Sequence, residues 1–287
     1  MVNSRIVNNQ IDGFTDNGIL VTGSDVSVIR DLQITDNTFN GNGNSIHLIR
    51  NDSADFRLTS ILRNTSNSAT NNGLYIEAFG TAAPSMDIRL TDNSFLRSGN
   101  SNLLIETHDS AVVNFFGPRD HFDMGSAGLT SVLNDFSIQN LVFENTTFDN
   151  NTGHGQLITL NDFATLTYTY TSPRDTAATF SSSTSGNGSY GRLVRGNDAI
   201  TYPVAIGSNG GPGVVFNGNT DVGIGFDGSG ASIGFVDIFN TSVSGTQNGA
   251  DPNFNGDGLA VRLRDSARIN RFNIGQISHV NAGADHI

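Results

Sequence analysis

Glu77 and Glu106 are two of only three glutamates in the chain, and each closes a short apolar run: LYIEA from Leu74 and LLIET from Leu103. Aligning Leu74 with Leu103 and Ile76 with Ile105 puts both carboxylates in one slot of two successive segments. If the segments are neighbouring strands with the isoleucines inward, both acids point outward on one sheet, roughly 5 Å apart. Such a pair suits Ca²⁺ coordination or the carboxylate pair of a glycosidase. Tyr75, His47 and His108 lie in or beside the same segments and complete this candidate carbohydrate or Ca²⁺ site. A second candidate is Asp251-Pro252-Asn253-Phe254-Asn255-Gly256-Asp257. Asp251, Asn253, Asn255 and Asp257 place oxygen ligands at alternate positions, as the first half of an EF-hand loop does. The twelfth position, where a bidentate Glu belongs, is Arg262. Ca²⁺ at one of these sites is the one cofactor the residues point to.

The elements that must position these groups are repeats. Asn9, Asn37, Asn64 and Asn93 share a slot at separations of 28, 27 and 29 residues. Ile19, Ile46, Leu74 and Leu103 share another, at 27, 28 and 29. A later copy from Leu141 puts Asn145 in the Asn slot, and Asp-Ser-Ala turns recur at Asp52, Asp109 and Asp265. Each unit holds about three short strands and no segment of helical period, which predicts a stacked solenoid. A propeller blade needs four antiparallel strands. The fold class is therefore all-β: a parallel β-helix of about ten coils of 27–29 residues. Stacked Asn side chains can bond from coil to coil, and Asn tolerates the left-handed backbone of a tight corner. Asn9, Asn37, Asn64, Asn93 and Asn145 are accordingly expected to form a structural ladder.

One coil cannot bury enough apolar surface to fold alone, so residues 1–287 read as a single solenoid. Loop insertions are expected at 117–134 and 172–199, where the rhythm breaks. Both termini fall in mid-pattern, so the chain reads as part of a longer array. Adjoining coils are its expected neighbours, and end-to-end self-association is expected of exposed ends. The net charge of −12 argues against nucleic acid as a partner. All 15 basic residues are Arg, and there is no Cys, so no disulfide argument exists. No apolar run is long enough to span a membrane, and the N-terminal stretch has no signal-peptide core.

The repeats resemble the pectate-lyase-like superfamily of right-handed parallel β-helices, above all its long, Asn/Gly/Asp-rich bacterial surface proteins. That superfamily includes polysaccharide lyases and hydrolases and also non-catalytic adhesins. Asn219-Thr220-Asp221 and Gly153-His154-Gly155 are similar to two polygalacturonase motifs. Their order is reversed, Asp-Asp is absent, and Arg268-Ile269-Asn270 stands where Arg-Ile-Lys belongs. No catalytic residue is assigned. The resemblance implies a structural or adhesive segment of a secreted or cell-surface bacterial protein, extracellular in location, with a polysaccharide or cell-surface ligand. The alternative it implies is a polysaccharide lyase or glycoside hydrolase, or an inactive remnant of one.

Overall fold

A computed structural model describes residues 1–171, 183–198, 202–207, 213–254 and 256–280. Alternation along each run decides how the chain winds. Strand Leu74–Ala78 buries Leu74, Ile76 and Ala78 and turns Tyr75 and Glu77 outward. After a turn, Met86–Thr91 buries Met86, Ile88 and Leu90, and Ser94–Leu96 buries Phe95. Each circuit thus contributes its apolar sides to one interior. Because that interior is largely apolar, the next circuit stacks directly on it, and every pairing between the described strands is parallel. The described residues contain no helix, and the fold is an all-β parallel solenoid.

Sheet I has nine strands, from Asn17–Gly23 to Asp257–Leu263. Sheet II has eleven, from Arg5–Val7 through Val112–Pro118 to Ile233–Ser244 and Arg268–Val280. Sheet III has five short strands, from Gln10–Asp12 to His121–Asp123. The stack makes about eight turns rather than ten. The reason is step length. Leu103 pairs with Leu129 after 26 residues, but Gln156 pairs with Arg192 after 36, Arg192 with Ile224 after 32 and Ile224 with Leu259 after 35.

The expected insertion at 117–134 is instead an ordinary coil. His121–Asp123 pairs with Ser94–Leu96, and Ala127–Leu133 pairs with Ser101–Thr107. Polar loop residues there hide two strands whose inward Phe122 and Leu129 are fully buried. Of the expected insertion at 172–199, residues 172–182 and 199 lie outside the described residues. Residues 192–197 within it form a sheet I strand.

Corners fall at fixed slots where non-glycine residues adopt positive φ. Between sheets II and III these are Asn8, Asp36, Arg63, Asp92, Arg119 and Asn145. The next residue supplies the ladder. Asn9, Asn37 and Asn64 each donate a main-chain N–H and a side-chain N–H to the Oδ1 one coil on, at 2.9–3.0 Å. Asn93 donates likewise to Asp120 Oδ1, at 2.8 and 2.9 Å. Asn145 is therefore not a ladder member: it holds the turn at φ 49°, and the ladder slot of its coil belongs to Thr146. Asp120 is the member that the Asn pattern concealed. The Asp-Ser-Ala turns at Asp109 and Asp265 join sheet I to sheet II, and the one at Asp52 joins sheet I to Asp55–Arg57, which pairs with Val28–Arg30 in a separate two-stranded sheet. Their Asp takes the positive φ, and Ala54 and Ala111 point into the core at no exposure.

Candidate functional site

On the outward face of sheet I, Glu77 and Glu106 are register partners, as their alignment predicts. Tyr75 bridges them: its hydroxyl lies 2.6 Å from Glu77 Oε1 and also bonds Glu106 Oε2. A phenol has one hydrogen, so it can serve only one of these carboxylates at a time. His47, one coil earlier, places Nε2 2.7 Å from Glu77 Oε2. Its ring stacks on Tyr75 with centroids 4.3 Å apart and planes 10° from parallel. Burial, and then the two carboxylates, push the Tyr75 phenol well above its ordinary pKa, so it remains a donor. Stacking neighbours on both sides leave the His47 and Glu77 side chains only 11% and 18% exposed. His47, Glu77, Tyr75 and Glu106 thus form one hydrogen-bonded chain across three coils.

His108 is held elsewhere. Its ring stacks on Phe79 at 4.6 Å, and Nδ1 faces Asn134 Nδ2 at 3.3 Å. In the EF-hand-like segment, Asp251 Oδ1 accepts the Asn253 main-chain N–H at 2.9 Å and its side-chain N–H at 3.0 Å. Asp251 Oδ2 accepts the Tyr190 hydroxyl at 2.7 Å, with Arg195 Nη2 3.8 Å away. The aspartate is thus surrounded by donors. Asp257 begins the last sheet I strand, Asn255 lies outside the described residues, and Arg262 forks onto Asp227 at 3.0 and 2.6 Å. Among the described residues, no group of three or more His, Cys, Asp or Glu is arranged to hold a metal ion.

The two polygalacturonase-like triplets have structural explanations. Asn219 belongs to a second ladder, at the corner between sheets III and I. Asn151 donates to Asn187 Oδ1 at 3.0 and 3.1 Å, and Asn187 to Asn219 Oδ1 at 3.2 and 2.9 Å. Asn102 feeds Asn151 at 3.1 Å from the coil before. Gly155 is required by close approach, since a Cβ there would fall 2.6 Å from Gly191 O in the next coil. His154 lies flat on Tyr190 at 5.2 Å, and burial lowers its pKa.

A further site lies on the outward face of sheet II and was missed in the sequence. A groove of about 300 Å³ is lined by Leu58, Asp87, Arg89, Asn114, Phe116 and Asn140, among others. Asp87, Asn114 and Asn140 stack in register; Asn114 donates to Asp87 at 2.6 Å and Asn140 to Asn114 at 2.8 Å. The Arg89 guanidinium sits 5.2 Å from the centre of the Phe116 ring. The available signal was the doublet Phe115-Phe116: with Phe115 inward, strand alternation forces Phe116 into solvent.

Comparison of the chain with protein-family models, curated proteins and solved structures finds no match. The fold and the side-chain geometry therefore carry the functional argument.

Proposed function

We propose that this chain is a structural, adhesive solenoid of a secreted or cell-surface protein, and that sheet II binds a saccharide chain. The observation that carries this reading is the groove at Phe116. It pairs an aromatic face with a guanidinium and a row of amides, and a sugar ring offers an apolar face together with hydroxyls that need such partners. The parallel solenoid supports the reading further, because coil stacking repeats the amide row along the axis. A second reading, a polysaccharide lyase or glycoside hydrolase of the pectate-lyase-like kind or its inactive remnant, is favoured by the His47–Glu77–Tyr75–Glu106 chain.

One panel separates the two. Neutral and acidic polysaccharides are tested for binding to the wild type and to F116A, and the same mixtures are assayed for unsaturated products and new reducing ends. Binding without products, weakened on the order of tenfold (about 1.4 kcal/mol) in F116A, is the expected result. Products that disappear in the E77Q/E106Q double variant would establish the second reading. Binding to none of the polysaccharides would refute the adhesive one.

A further inference from the structure

Among the described residues, two arginines have no exposure, and the protein treats them differently. Arg50 donates to the main-chain carbonyls of Ala54 and Asp52 at 3.0 Å and of Thr81 at 2.8 Å. Arg192 occupies the inward column of sheet I between Gln156 and Ile224, with no exposure. Among the described residues, none of its three guanidinium nitrogens has a hydrogen-bond partner. The guanidinium carbon lies 3.6 Å from the centre of the Tyr168 ring, a contact with the ring face that satisfies no N–H donor.

The polar groups around it are committed to one another. Tyr168 donates to Gln156 Oε1 at 2.6 Å, and Gln156 Nε2 donates to Thr184 Oγ1 at 3.2 Å. The Tyr170 hydroxyl is within hydrogen-bond distance of the carbonyls of Thr146 and Ser183, at 2.9 and 2.7 Å. Neither phenol supplies a negative charge, because burial pushes Tyr168 up to about 12 and Tyr170 well above its ordinary value. A guanidinium does not shed its proton at any ordinary pH. An uncompensated cation in a closed interior whose polar groups are already paired is among the most costly arrangements a fold can contain.

We propose that Arg192 binds a small inorganic anion of the halide class inside the solenoid, against the unpartnered N–H groups of its guanidinium. A compact ion is required because Arg192 has no exposure to solvent. The acidic exterior, at net −12, repels anions, so the ion is held by the local charge of Arg192. It is captured as the coils close and released when they unfold. Anion concentration must then shift the unfolding equilibrium even if exchange from the native state is slow.

Thermal unfolding in sodium chloride and in sodium gluconate, at matched ionic strength, tests this. The wild type is expected to gain melting temperature with the logarithm of chloride concentration relative to gluconate, and R192M to lose that difference. Crystals grown in bromide are expected to show an anomalous peak beside the Arg192 guanidinium, a readout that needs no variant to fold. A wild type indifferent to chloride, an equal chloride response in R192M, or a bromide-grown crystal with no peak there would each overturn the proposal.

Discussion

Asp120 takes an asparagine's place in the first ladder, and one atom changes what the ladder does with protons. Its Oδ1 receives both Asn93 donors, as an amide oxygen would. Its Oδ2 stands where the preceding coils have an Asn N–H, and among the described residues it is buried without a hydrogen-bond partner. Desolvation, opposed by the two bonds from Asn93, pushes the carboxyl up to about 7. The unfolded value is about 3.9. Between these values the folded state keeps a proton that the unfolded state has lost. Stability from this group is therefore fully present below about pH 4 and is lost as pH rises to 7. D120N restores a permanent N–H and removes the titration. Its advantage over wild type should grow between pH 4 and 7 to on the order of a few kcal/mol. Denaturant unfolding at several pH values measures this, and a difference that stays constant with pH would place the titration elsewhere.

At the level of elements, two corners solve the same backbone problem with opposite electrostatics. The corner between sheets II and III alternates signs: Arg63 forks onto Asp36 at 2.7 Å, and Arg119 onto Asp92 at 2.6 and 3.0 Å. The corner between sheets I and II places Asp109, Asp135, Asp162 and Asp198 at positive φ in successive coils. Asp109 donates its main-chain N–H to Asp135 Oδ2 at 3.2 Å, so the turns are linked although their charges repel. Two such charges about 5 Å apart cost roughly 0.8 kcal/mol in water and less in salt. Asn tolerates the same backbone without the charge. The D135N/D162N variant should therefore melt higher than wild type at low ionic strength, with the gap closing in about 0.5 M salt. A gap independent of salt would assign the gain to something other than charge.

For the molecule as a whole, coil stacking is the source of stability, and the last described strands show what an unstacked coil exposes. Val261 and Leu263 are 43% and 42% exposed, and Phe272 and Ile274 are 38% and 39%. Phe226, Val236 and Ile238, the register partners of Val261, Phe272 and Ile274 one coil earlier, are fully buried. An apolar strand edge of this kind is a template for another parallel strand. Copies of the chain are expected to associate end to end, seen in sedimentation velocity as a concentration-dependent rise in sedimentation coefficient that V261K/I274K reduces. A clean monomer at high concentration would rule it out.

Spacing and alternation by themselves determined the solenoid, the inward columns through Leu74 and Leu103, and the pairing of Glu77 with Glu106. These are local properties: a period of two decides which side of a strand faces in, and a recurring slot decides what stacks on what. Stacking alone decided the rest. Loops of different length return to the same register at small entropic cost, so steps of 26 and 36 residues make equivalent coils and the number of turns was not legible. The first ladder passes through Asp120 and a second one, through Asn151, Asn187 and Asn219, runs along another corner. Which of the many Asn align along a corner depends on where each chain segment turns. The groove at Phe116 and the enclosure of Arg192 follow from neighbours roughly 30 residues away. Only the closed stack brings those neighbours within reach.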